Sequence, residues 1–375
     1  MQTSIRQLLL LSVVCLALAG CTTLSTPYSG SPTNPTSPTP VATAKFGFIA
    51  DGFYGPVHSY TISSSGAWTP VSTVSLASGD SITASIIVDP FGKFIFVAGL
   101  QLAKIYVFNV DPNTGALTPA SVYTGPDIET RPEQMAIDPT GSFLYASNTG
   151  ESSVSIFQIN RTTGVLTPGS PATIVSGQSP SGIATDLTGK FLYVSNEDDG
   201  TTSMFSINQS TGALTSLTPS TISSDDSFQL RFDPTGQFLY TLQSRGEGIL
   251  PFSINSSTGA LTPLSASFTT TPNGPTDMLI TADGKHAYVT DRDSNEISIF
   301  TADPSTGTLQ PLSTIPLGGE PFTIAADPGG QFLYINCEGF GVAVMQINAD
   351  ASLTQIGTVN TSNEAVSVAV YPAAK

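Results

Sequence analysis

From Lys45 onward the chain alternates short apolar runs with turn residues in a fixed order. One unit reads "PSGIATD", "KFLYVSN", "SVSIFQI" and "LTPGSPATI". Runs of this length, β-branched and aromatic and bounded by Asp, Asn, Gly and Thr, predict four strands. "PSGIATD" is the first, innermost strand and ends in an Asp-x-x-Gly turn. The fourth is outermost, because Pro is tolerated where an edge has spare donors. Before the corner Asp, Ile86, Met135, Ile183, Leu230, Met278 and Ile324 form one apolar column. Val88, Ile137, Phe232, Ile280 and Ala326 share its face, while Ile87, Ala136, Ala184, Leu279 and Ala325 point the other way. Two apolar faces mean that each sheet is covered on both sides.

The unit repeats. Corner glycines fall at Gly92, Gly141, Gly189, Gly236, Gly284 and Gly330. A second turn glycine falls at Gly66, Gly115, Gly164, Gly212, Gly259 and Gly307, and "ADASLT" around Ser352 is a seventh copy without glycine. A period near 48 with two turns per unit predicts four-stranded propeller blades. Seven outer turns against six inner corners imply a divided blade. The C-terminal "EAVSVAVYPAAK" has the innermost-strand pattern, and "AKFGFIADG" matches the second strand "GKFIFVAGL" of the next blade. The predicted fold is therefore all-β, a seven-bladed β-propeller. Its last strand closes the ring by pairing with three N-terminal strands, which leaves no blade short.

These motifs, among them "DPTGSFLYASN" and "SVSIFQINRTTGVLTP", resemble the lactonase-type seven-bladed propellers. That family includes a bacterial 6-phosphogluconolactonase and fungal carboxy-muconate lactonizing enzymes. The resemblance spans about residues 44–372. It implies the fold strongly and the chemistry weakly, because non-catalytic surface propellers share the repeat.

Composition agrees with a strand-rich chain: 375 residues with 34 Gly, 28 Pro and 11% charged residues. The first twenty residues stand apart, an Arg-bearing start followed by the apolar "LLLLSVVCLAL" and then "LAGC". That last motif resembles the lipobox of bacterial lipoprotein precursors. The resemblance implies a signal peptide over 1–20, lipid on Cys21, and, with Thr22 next, an outer-membrane address. Residues 21–43 are rich in Pro, Ser and Thr and read as a tether, with the propeller over 44–375. Of three cysteines only Cys337 would remain for the domain, as a small buried residue rather than a nucleophile. Net charge is −16, and −17 once the leader with Arg6 is gone. Nucleic acid is thereby excluded as a partner. A monomer is expected, with the membrane reached through the lipid.

Chain direction puts first-strand starts and second-strand ends on one rim, where the sequence varies most. Candidate ligand-binding residues there are Arg131, Glu133, Asn196, Asp198, Asp225, Asp226, Asp291 and Glu338. Arg231 breaks an apolar column on an innermost strand and is expected to reach the channel towards Asp225 or Asp226. The lactonase resemblance implies a Glu in "Asn-Glu" at a second-strand end, with arginine and histidine partners. Glu197 fits that slot, with Arg245 and Arg292 as tentative partners, but Ser and Gly stand where Arg and His belong. His58 and His286 sit within strands. No His/Cys spacing suggests zinc, "DRDSNE" lacks the glycine and bidentate Glu of a calcium loop, and "GQSPSG" is no nucleophile elbow. No metal or cofactor is implied. On residues alone, a platform binding a protein, glycan or small molecule at an acidic rim is favoured. The alternative is a hydrolase opening a sugar or related lactone.

Overall fold

The computed structural model describes residues 46–52, 55–76, 83–125, 131–243, 248–265, 268–361 and 365–372. Residues 1–45, with the expected leader, Cys21 and expected tether, lie outside them, as does Arg245. The described residues form seven antiparallel sheets and no helix. Six blades run outward in chain order. Their innermost strands are Thr83–Val88, Pro132–Ile137, Pro180–Thr185, Ser227–Phe232, Pro275–Ile280 and Glu320–Ala326. The remaining blade joins Phe46–Asp51, Val57–Ile62 and Trp68–Val74 to the C-terminal Ala365–Tyr371, which is innermost. Phe46 lies opposite both Tyr371 and Thr61, so the closure is a continuous ladder. We number this divided blade 1 and the others 2 to 7.

One departure from the repeat appears in blade 5. Its outermost strand is interrupted, Leu261–Pro263 and Thr269–Thr270 pairing separately with the third strand.

Each apolar cluster joins two neighbouring blades. Phe94 and Phe96 of blade 2 pack with Met135, Leu144 and Phe157 of blade 3, and the arrangement recurs around the ring. The corner aspartates are buried acceptors, not surface charges. Asp138 accepts from the backbone N–H groups of Thr140, Ser142 and Phe143 at 3.0, 2.8 and 2.7 Å. Thr281 takes this place in blade 6, its hydroxyl accepting from the His286 N–H. In blades 3 to 6 a tyrosine stitches the second strand to the outer turn of the next blade. Tyr145 donates to the Gly212 carbonyl, Tyr193 to Gly259, Tyr240 to Gly307 and Tyr288 to Ala351.

Candidate functional site: the channel and its mouth

The free edges of the innermost strands face the channel, so their N–H groups need partners there. The residue before the apolar column is Ser85, Gln134, Gly182, Gln229, Asp277, Thr323 or Ser367, and four of these supply such partners. Ser367 accepts from the Ile86 N–H, Gln229 from Leu230, Thr323 from Val368, and Asp277 from both Met278 and Ile324. This polar ring escaped the sequence reading, which began one column later. Its signal was a position polar or glycine in every copy, directly before the apolar column.

Within the ring lies a cavity of about 280 Å³. Glu133, Gln134, Gln229, Arg231 and Asp277 line it, with Phe228 and Phe322 meeting edge to face at 6.0 Å. Arg231 reaches this cavity, but its partner differs from the one expected. Its Nη2 lies 2.7 Å from Asp277 Oδ1, and its Nη1 donates to the Leu230 carbonyl. Asp225 and Asp226 sit further out: Asp226 is half-buried, and exposed Asp225 borders an outer depression with Leu250 and Phe268. The polar ring explains the change, because Asp277 already occupies the adjacent channel position. Burial pushes the Asp277 pKa above the ordinary carboxylate range, while the Arg231 charge and two N–H donors pull it back. Two Arg231 N–H groups are engaged this way, and a guanidinium carries more.

At the lip, Glu133 has its pKa raised, first by burial and then by the Glu197 carboxylate. The structure thus couples two acids that the sequence treated separately. Glu197 is held by a backbone turn: its N–H donates to the Ser179 carbonyl and its carbonyl accepts from Gly200. The rest of "SNEDDG" is tied down. Asp198 accepts from the Ser179 hydroxyl, and Asp199 from the Gln178 N–H at 2.7 Å. Asn196, fully buried, donates to Thr201 and Ser203 and accepts from Ser176 and Gly177. It acts as a clasp between strands and a loop and does not face a ligand. Asp291 occupies the same second-strand position in blade 6 and is also fully buried, accepting from Ser298 at 2.6 Å. Burial lifts its pKa to about 7.

Arg292 stands on the exposed rim, its Nε 3.2 Å from Glu320 and its Nη2 3.9 Å from Glu338. It also lies 5.9 Å from the Phe322 ring centre. Arg131 is exposed at the mouth end of blade 3, in a left-handed backbone conformation. His58, on the third strand of blade 1, bonds Asp51 at the end of the second strand and Thr73 on the outermost, and His286 begins the second strand of blade 6 at the corner end. Cys337 is buried, its thiol pushed up to about 12 by desolvation. The channel mouth therefore brings together Glu133 and Glu197, with Arg231 and Asp277 in the cavity they adjoin.

Fold and site define a seven-bladed propeller with a polar cavity among its innermost strands. The family of the lactonase seven-bladed β-propellers matches the chain over residues 43–175, 122–228, 169–274 and 230–370. The chain belongs to that family. Among solved structures, a candidate 6-phosphogluconolactonase from Bacteroides fragilis is 19% identical, covering 89% of this chain and 99% of its own, with a TM-score of 0.78. The periplasmic gluconolactonase PpgL of Pseudomonas aeruginosa is 17% identical over 87% of this chain and 99% of its own, at 0.74. No curated protein sequence matches the chain. At such identities the structural likeness concerns the fold.

Proposed function

We propose that the chain is a lactonase that opens the ring of gluconolactone-like substrates at the channel mouth. Family membership favours this reading over the binding platform that the residues alone suggested. The observation that carries it is Glu133, a half-buried carboxyl lining the cavity, whose pKa is raised by desolvation and by the charge of Glu197. A carboxylate with a raised pKa is a stronger base than an ordinary one. Glu133 takes a proton from water as its oxygen attacks the lactone carbonyl. It returns that proton to the ring oxygen as the acyl C–O bond breaks. Arg231, with N–H groups to spare, faces the negative charge developing on the carbonyl oxygen. Glu197 strengthens the base through its own charge. The histidine that the family resemblance implies has no counterpart on the innermost strands, so base and acid are assigned to one carboxyl.

The test is hydrolysis of glucono-δ-lactone by the purified protein, followed in a pH-stat. Glu133→Gln should lose roughly 10²–10⁴-fold in kcat. Glu197→Gln should retain activity but shift its acidic limb to lower pH, because the charge that raises the Glu133 pKa is gone. A wild-type rate no faster than spontaneous opening would end the proposal. We also propose lipid anchoring at Cys21, with action outside the cytoplasm. Palmitate labelling lost in Cys21→Ser supports it, and labelling retained there refutes it.

A further inference from the structure

Six of the seven outermost strands begin with a buried leucine: Leu117, Leu166, Leu214, Leu261, Leu309 and Leu353. In blade 1 that position holds Trp68, half-buried and the only tryptophan in the chain. The change is accommodated next door. The second strand of blade 1 carries Gly47 where the other blades have Ile95, Leu144, Leu192, Leu239, Ala287 and Leu333. A Cβ on Gly47 would lie 2.2 Å from the indole Cη2. Tyr60 and Tyr334 flank the ring, with centres 5.1 and 5.0 Å away. Tyr334 also departs from the stitching pattern. Its hydroxyl is buried beside the Trp68 N–H and, among the described residues, bonds no outer-turn carbonyl of the kind its counterparts reach. A coordinated departure from a sevenfold pattern, involving Gly47, Trp68 and Tyr334 together, marks a position selected for something other than the fold.

That departure borders a groove of about 770 Å³ between blades 1 and 7. It lies at the outer strands, away from the channel. Trp68, Tyr60 and Phe332 form one part of its lining, and the exposed side chains of Gln346, Thr358 and Asn360 another. No lining residue carries a formal charge at neutral pH, in a chain with 40 Lys, Arg, Asp and Glu residues (12 and 28). An aromatic face ringed by amides and hydroxyls, without charge, matches a ligand with apolar C–H faces and many uncharged hydroxyls. We propose that this groove is a binding site for a neutral hexose oligosaccharide, with one sugar ring stacked on Trp68 and its hydroxyls bonded to Gln346 and Asn360. The site is separate from the channel and does not depend on the lactonase reading.

With a single tryptophan, intrinsic fluorescence reports the groove directly. The purified full chain is titrated with maltohexaose, cellohexaose and mannohexaose. A saturable change in emission with at least one of them is expected, matched by calorimetric heat. Gln346→Ala should weaken that binding at least fivefold. Trp68→Leu alone leaves space beside Gly47, so the double variant Gly47→Leu, Trp68→Leu is the better control, since it restores the pattern of most other blades. It should melt no lower than wild type and show no heat with the same sugar. Silence of all three sugars in both measurements overturns the proposal, and so does undiminished binding by the folded double variant.

Discussion

At the scale of single residues, the repeat makes each position an internal comparison with its six counterparts. The outer-turn glycines show what that comparison contains. Gly212 has φ +73°, and a Cβ there would lie 2.3 Å from Cδ1 of Phe143 in the preceding blade. Gly259 meets Phe191 and Gly115 meets Phe46 in the same way. The one turn with alanine, Ala351 at φ +65°, follows the one blade whose second strand begins with His286 in place of Phe. Gly212→Ala is therefore expected to cost about 2–5 kcal/mol, combining backbone strain with overpacking, as a chemical denaturation curve would show. No measurable loss would mean that Phe143 can move aside. Asp291 yields a second expectation. Its pKa near 7 in the folded protein exceeds the ordinary 3.8, so protonation stabilises the fold. That contribution is complete below the ordinary value and is lost as pH rises through 7. Asp291→Asn copies Asn148 and Asn196, which donate to Ser155 and Ser203 at 2.9 Å where Asp291 accepts from Ser298. The variant should melt several degrees higher than wild type at about pH 8, with the gap shrinking towards about pH 4. A gap independent of pH would show that Asp291 is not the titrating group. The sequence showed that this position is polar in several blades. It could not show that the side chain is fully buried, which turns an expected ligand contact into a clasp.

Strand order and blade closure were legible at the scale of elements, because turn chemistry is local and repeats the same residues at each corner. The C-terminal strand is the sharpest case, since its pattern stops where a corner should follow. Gly92 of blade 2 sits against the ring of Tyr371, and Val368 and Val370 join the core between blades 1 and 7. Removing residues 363–375 strips blade 1 of its innermost strand and exposes those faces. The truncated chain should unfold well below the full chain, or in two steps, when heated and followed by circular dichroism. An unchanged single transition would argue that closure does not depend on this strand. The interrupted outer strand of blade 5 was not legible, because "PLSASFTTTPNG" has no marker separating a strand from a short bulged pair. The acidic loop "SNEDDG" was only half legible. Its charges are evident, but its hydrogen bonds to Gln178 and Ser179 require the preceding innermost strand to lie beside it.

For the whole molecule the governing quantity is charge. Net charge is −16, and Glu133, Glu197, Asp198, Asp199, Glu320 and Glu338 lie at or around the mouth. The arginines best placed for an anion already face carboxylates, Arg231 with Asp277 and Arg292 with Glu320. A phosphate on the substrate would meet this field without a clamp. Under the proposed activity, glucono-δ-lactone should show the lower KM, and its 6-phospho derivative a KM raised severalfold at about 10 mM salt. That difference should narrow at about 150 mM, as the screening length falls from roughly 30 Å to roughly 8 Å. A phosphorylated lactone preferred at low salt would show that a phosphate site exists after all. By itself the sequence determined the number of blades, their strand order and the way the ring closes. Each of these follows from local turn chemistry and the two-residue period of strands, which any copy of the repeat displays. Only the tertiary structure decided that Arg231 meets Asp277, that Glu133 feels the charge of Glu197, that Asn196 and Asp291 are buried, and that Trp68 borders a groove. Those meetings occur between neighbouring blades or across the channel, where sideways packing and burial set the partners and spacing along the chain does not.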